Sequence, residues 1–254
     1  MRLDKYLTQA GMGSRSQVKE YIRKGQVTVD GQTETDCGRH IEEMCCEVIC
    51  RGQAVGFQKM VYFMLNKPDG YLSATSDERE QTVMELLKDT GRRDLFPVGR
   101  LDKDTEGLLL MTNDGVLAHR LLSPARAVPK QYLAVLSREP SPEQQKMLER
   151  GLDIGEAKLT APAVFAWRDK ARLEALLTIT EGKYHQVKRM FAAVDCRVLS
   201  LRRLSMGTLL LDESLAPGAY RPLSTEEVDG LLRLTGLKVP AGPEAKEENQ
   251  HAAK

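Results

Sequence analysis

A chain of 254 residues with 41% hydrophobic and 29% charged content can bury a sizeable core and has room for one large or two unequal domains. Its net charge of only +1 excludes a uniformly cationic polyanion binder. No run approaches the ~20 apolar residues that cross a bilayer, and Met1-Arg2-Leu3-Asp4-Lys5 opens no apolar leader, so a soluble protein with no membrane partner is expected.

The near-neutral total conceals two basic regions. Residues 1–25 carry Arg2, Lys5, Arg15, Lys19, Arg23 and Lys24 against Asp4 and Glu20. Residues 183–203 carry Lys183, Lys188, Arg189, Arg197, Arg202 and Arg203 against Asp195 alone. Two such clusters in a balanced chain point to a polyanion touched at two places. The five cysteines, Cys37, Cys45, Cys46, Cys50 and Cys196, are odd in number and form no C-x-x-C pair. That argues against a disulfide framework and a structural zinc, and for a reducing cytoplasm. Burial in a small core is the expected fate of the N-terminal ones.

The first segment reads as a small helical unit. Ser14 and Gln17 make a capping box, and Gly25 supplies the stop. Between them Val18, Tyr21 and Ile22 share one face while Arg15, Lys19 and Arg23 form a basic ridge on another. Gln26–Val29 alternates as a strand, with Asp30-Gly31 as a hairpin turn. A linker is expected near residues 52–60. Beyond it, strands are predicted at Val61–Leu65, Leu108–Thr112, Tyr132–Leu136, Leu159–Trp167, Arg172–Thr180 and Val198–Leu201, and helices at Val83–Lys88, Val116–Leu122, Glu143–Gly151 and His185–Val194. Strands outnumber helices without strict alternation, which favours a mixed sheet with helices packed on it. From Pro240 to Lys254 there is little to bury, and the tail is expected to be disordered.

Two stretches have the composition of a chemical site. Gly99-Arg100-Leu101-Asp102-Lys103-Asp104-Thr105-Glu106-Gly107 sets carboxylates and cations in a glycine-flanked loop before the apolar run Leu108–Met111. Taken locally, it also reads as a polar connector, and its acidic spacing copies only the first half of a calcium loop. The second stretch is Glu181-Gly182-Lys183-Tyr184-His185-Gln186-Val187-Lys188-Arg189-Met190-Phe191. Its apolar face is Val187, Met190, Phe191 and Val194, and its N-terminal amides, beside Lys183, could receive a phosphate.

Arg100-Leu101-Asp102 with Thr105 and Gly107, then Lys130-Gln131-Tyr132, then Gly182 through Met190, resemble the pseudouridine synthases that act on ribosomal RNA. The Tyr-His-Gln-Val-Lys-Arg-Met string and Gly218-Ala219-Tyr220-Arg221-Pro222-Leu223 look most like the small-subunit (16S) branch. Arg2 to Leu7 and Ser14-Arg15 through Gly31 are similar to the alpha-L RNA-binding domain also found in a small-subunit ribosomal protein. The resemblance implies an α+β chain. An RNA-binding domain spans 1–58, a larger catalytic domain with a mixed, mainly antiparallel sheet and flanking helices spans 59–235, and a tail follows at 236–254.

It further implies a monomer that isomerises one uridine to pseudouridine in ribosomal RNA or a small-subunit assembly particle, with no cofactor and no metal. Asp102 is the implied nucleophile, attacking ribose C1′ or adding to C6 of the base. Lys188 falls where the family keeps a basic partner for that carboxylate, often Arg in other branches. Tyr132 matches the active-site tyrosine, and Arg100 the residue that fills the gap left by the extruded base. Phosphate contacts are expected from Arg2, Lys5, Arg15, Lys19, Arg23, Lys24, Lys183, His185 and Arg189. The rival readings are a synthase for 23S ribosomal RNA and a non-catalytic RNA-binding or ribosome-assembly protein.

Overall fold

Ser14 does cap a helix. Its hydroxyl accepts from Gln17 N at 3.4 Å and Gln17 Oε1 accepts from Ser14 N at 2.9 Å. The computed structural model describes residues 1–41, 46–55 and 60–239. It divides into two units, Met1–Met60 and Val61–Lys254.

In the first unit, α1 (Leu3–Gln9) and α2 (Arg15–Arg23) accompany a four-stranded sheet, β1 (Val27–Val29), β2 (Gln32–Thr33), β3 (Val48–Cys50) and β4 (Gln53–Ala54), in the order β2-β1-β3-β4. Asp30 (φ 52°) and Gly31 (φ 77°) make the hairpin turn between β1 and β2. The core consists of Leu3, Leu7, Val18, Ile22, Val27, Val29 and Cys50 among others. Cys50 is buried as expected. Cys37 and Cys46 are only partly so, and Cys45 lies outside the described residues. The chain expected to act as a linker from residue 52 is still structured there. β4 pairs with β3, and Tyr6 donates its hydroxyl to Val55 O at 2.9 Å.

The second unit contains β5 (Tyr62–Lys67), a 3₁₀ helix (Val83–Thr90), β6 (Phe96–Pro97), β7 (Thr105–Thr112), α3 (Gly115–Leu122), β8 (Lys130–Leu136), α4 (Pro142–Arg150), β9 (Val164–Asp169), β10 (Glu174–Ile179), α5 (Gln186–Ala192), β11 (Val198–Met206), β12 (Leu209–Leu210), β13 (Tyr220–Pro222) and α6 (Thr225–Leu234). The main sheet runs β13-β5-β7-β11-β8-β10-β9, with β6 on β7 and β12 on β11. All of its pairings are antiparallel except β7 with β11, where Thr105, Glu106 and Gly107 face Leu201, Arg202 and Arg203. The expected α+β architecture is therefore present.

Both faces of this sheet are covered. Leu65, Leu109, Met111, Tyr132, Ala134 and Leu177 point into one core with Leu148 of α4 and Val187, Met190 and Phe191 of α5. Met64, Leu108, Leu110 and Met206 point into the other with Leu117 and Leu121 of α3 and Leu231 and Leu232 of α6. This double burial explains the unbroken apolar run Leu108–Met111, each of its residues wholly buried.

Several expectations need correcting. Helix α3, expected from Val116, begins one residue earlier at Gly115, with Asp114 as its N-cap. Asp114 Oδ1 accepts from Val116 N at 3.0 Å and Leu117 N at 2.9 Å, and Tyr62 donates to its other oxygen. Helix α6 was not predicted, although Ser224 and Glu227 spell its capping box. Leu237 and Val239, assigned to the tail, pack against the second core, while residues 240–254 lie outside the described residues.

Candidate active site

The two chemically suggestive stretches meet in space. Asp102 occupies the loop entering β7, and Lys188 projects from the first turn of α5. Lys188 Nζ lies 3.1 Å from Asp102 Oδ2 and 2.5 Å from Asp104 Oδ1, so one ammonium bridges two carboxylates. His185 Nε2 stands 3.5 Å from Asp102 Oδ1, an ion pair only when the imidazole is protonated. Asp102 is 24% exposed in its side chain, whereas Asp104 is 68% exposed.

These contacts set the charges. Burial works against the Lys188 ammonium, but hydrogen bonds to Asp104 and Asp102 outweigh it and hold its pKa above the ordinary lysine value. The same hydrogen bond from Lys188 holds Asp104 below the usual carboxylate range. The result is a fixed cation with a semi-enclosed carboxylate beside it.

The loop bearing Asp102 is tied down from below. Lys67, at the end of β5, is wholly buried and donates to Pro68 O at 3.0 Å, Lys103 O at 2.9 Å and Thr105 O at 2.9 Å. Three N–H donors thus meet three carbonyls, one within the loop and one at the first residue of β7. Ser73 Oγ accepts from Leu101 N at 3.1 Å and donates to Leu101 O at 3.0 Å, fixing the residue just before Asp102.

Desolvation pushes Lys67 down to about 8, against the pull of Asp69, Asp104, Glu106 and Asp102. In the unfolded chain this lysine keeps its proton up to about 10.5. Between those values the unfolded state binds more protons, so the folded state gains stability as pH rises. The unfolding free energy of the parent is therefore expected to grow relative to Lys67→Met from pH 8 to 10.5, by about 1.4 kcal/mol per pH unit. A difference that stays flat across this range in urea titrations would contradict a desolvated ammonium.

Tyr132 is 8% exposed and belongs to the core cluster that includes Leu101 and Val187, the immediate neighbours of the ion-paired stretches. It lies in register with Arg203 on β11 and Leu177 on β10. Arg203 is itself buried and donates Nε to Leu108 O at 2.7 Å. Arg100 is exposed, and no hydrogen bond or ion pair of its side chain occurs among the described residues.

The cations expected to meet phosphate fall into two groups. Lys5, Arg15, Lys19 and Arg23 are exposed with no ion pair among the described residues. Arg2 pairs with Asp4 at 3.0 Å and Lys24 with Glu20 at 2.6 Å, both at the surface. Lys183 and Arg189 are spent internally, which corrects their expected task. Lys183 Nζ donates to Lys158 O and Leu159 O at 3.0 Å, while Arg189 pairs with Glu156 at 2.6 Å and donates to Ile154 O and Tyr184 O. Together they brace the 183–189 segment against the 154–159 loop.

The helix start also differs from the predicted phosphate seat. α5 begins at Gln186, after His185 in a left-handed conformation (φ 47°), and Gln186 Oε1 accepts from Lys183 N at 2.9 Å. His185 thereby turns toward Asp102. Sequence reasoning missed Lys67 altogether and noticed Asp104 only as part of a calcium-like spacing. A lysine at a strand end before Pro-Asp-Gly carries no local sign of burial.

Comparison with known proteins gives a consistent result. The family described as RNA pseudouridylate synthase matches residues 61–193, and the S4 domain matches residues 1–44. The uncharacterized RNA pseudouridine synthase YtzG of Bacillus subtilis is 49% identical over 90% of this chain and 97% of its own. The ribosomal small subunit pseudouridine synthase A of Vibrio cholerae is 40% identical over 92% of this chain and 100% of its own. That of Yersinia pestis is 42% identical over 90% and 97%. A solved structure described as a pseudouridylate synthase is 35% identical, with a TM-score of 0.66, over 91% of this chain and 99% of that one.

Proposed function

Because the chain belongs to the RNA pseudouridylate synthase family and carries an S4 domain, we propose that this isomerase acts on a uridine of 16S ribosomal RNA, with Asp102 as its attacking carboxylate. The likeness to relatives named for the small ribosomal subunit, running through nearly the whole chain, supports the choice of RNA. The observation that carries the chemistry is the Lys188–Asp102–His185 contact, an oriented carboxylate beside a permanent cation.

The reaction breaks the bond from ribose C1′ to N1 of uracil and rejoins the base through C5, which gives up its hydrogen as a proton while N1 gains one. Substrate and product hold the same atoms, so the carboxylate must enter and leave unchanged. Asp102 either takes C1′ as the uracil departs or adds to C6 of the ring; both need it ionised and desolvated. Lys188 Nζ lies 3.1 Å from its Oδ2, and the exposed Asp104 shares that ammonium. Tyr132, which shares a core cluster with Leu101 beside Asp102, is proposed to stack on the extruded base, and Arg100 to fill its place in the helix. Mapping pseudouridines in 16S and 23S ribosomal RNA from cells with and without the protein tests the reading. A site lost from 16S supports it, and a site lost only from 23S overturns the choice of substrate.

The α2 ridge is proposed to contact phosphates without reading sequence. Neutralising Arg15, Lys19 and Arg23 together should weaken RNA binding and lower the slope of log affinity against log salt by about two. An unchanged slope in filter-binding titrations would remove the ridge from the interface.

A further inference from the structure

Tyr184 is the most exposed large apolar or aromatic side chain of the second unit's described residues, at 73%. One face of its ring stacks on His185, with centroids 3.8 Å apart and planes within 19°. His185 in turn reaches Asp102 through Nε2 at 3.5 Å. The exposed aromatic face is thus one stacking layer away from a side chain that touches the proposed nucleophile.

Its placement is held from several sides. Arg189 donates to Tyr184 O at 3.0 Å, Lys183 is anchored on the carbonyls of Lys158 and Leu159, and His185 carries the left-handed backbone that turns its ring under Tyr184. A non-glycine residue at positive φ costs conformational energy and persists where the surroundings fix it. The brace that takes Lys183 and Arg189 away from phosphate therefore orients an aromatic ring. With one face stacked on His185, the ring is held with its other face open to solvent.

We propose that the outer face of Tyr184 is a platform for a base flanking the extruded uridine, continuing the stack His185–Tyr184–base beside Asp102. The proposal rests on the RNA-modifying reading above and names a positioning residue for it. Every nucleobase has a π face, so the platform would hold the strand without selecting its sequence. Its contribution should therefore appear in RNA affinity and KM, while the chemical step at saturation stays untouched.

The test uses the full-length enzyme and a ribosomal RNA fragment that the parent converts. Tyr184→Ala and Tyr184→Leu are expected to raise KM about tenfold, a typical loss for one base–aromatic stack, with single-turnover rates at saturating RNA within about twofold of the parent. Tyr184→Phe, which keeps the ring, should restore the parental KM. A photoreactive 5-iodouridine placed next to the target should crosslink to Tyr184. A parental KM in the Ala and Leu variants, a loss confined to the saturated rate, or a failure of Phe to rescue would overturn the platform. Absence of any 16S conversion by the parent would instead count against the proposed substrate, and the same variants would then be compared on the RNA that is modified.

Discussion

Asp102→Ala is expected to lower pseudouridine formation by on the order of 10⁴-fold or more, the scale of loss when a covalent nucleophile is removed, while RNA affinity stays within a few-fold. The side chain is partly exposed, and its contacts are with Lys188 and His185, with no backbone group relying on it among the described residues. Removal should therefore leave the loop in place, because Lys67 and Ser73 hold the backbone on either side. Lys188 retains Asp104 as a partner and is not left as an unpaired cation. Tritium release from 5-labelled uridine in an RNA substrate reads the chemistry, and filter binding reads the affinity. Turnover near the parental rate would end the assignment of Asp102 as nucleophile. Loss of binding along with turnover would mean that the carboxylate organises the site.

Gly107→Ala is expected to destabilise the second unit by about 4 kcal/mol or more, a large share of the ~5–15 kcal/mol by which a domain is stable. Gly107 sits inside β7 with φ 97°, a conformation that L side chains rarely adopt. A Cβ there would lie 2.3 Å from Arg203 O, 2.9 Å from Arg203 N and 2.8 Å from Arg202 Cγ. Two of those are backbone atoms of the strand paired with β7, so no rotamer change relieves the clash. The backbone has no room on the other edge either, since Gly107 also faces Lys67 of β5. Relief requires opening the parallel β7–β11 pairing, next to the loop that carries Asp102. Urea unfolding of the purified variant checks this. A midpoint close to the parent's would show that the strands separate at little cost.

The parts of the fold legible in the sequence are those set by neighbours within about one helical turn. The Ser14–Gln17 box, the Asp30-Gly31 turn and the apolar stripe Val18–Ile22 each act locally, and each appears where expected. Several strands were also recoverable from their apolar and β-branched content, but β9 begins only at Val164 where a strand from Leu159 was expected, and the short strands β3, β4, β6, β12 and β13 were not predicted. Strand ends were less legible. β11 runs to Met206 although Arg202 and Arg203 were counted in a basic region pointing to a polyanion, and Arg203 is buried with its Nε donating to a carbonyl of β7.

The candidate site divides in the same way. The resemblance of ordered motifs to a known family singled out Asp102, Tyr132 and Lys188, whereas taken locally the Asp102 stretch read equally as a polar connector. Which cations remain free was decided by tertiary structure. Lys183 and Arg189 look like Lys19 and Arg23 in sequence, yet carbonyls of a loop some 30 residues away consume them. Lys67 is invisible as a loop anchor until β5, β7 and the Asp102 loop come together. Caps, turns and periodicity are short-range interactions that a linear string contains in full. Ion-pair partners, strand register and the close approach at Gly107 depend on which distant backbone atoms occupy the same few ångströms, and only the packed chain fixes that.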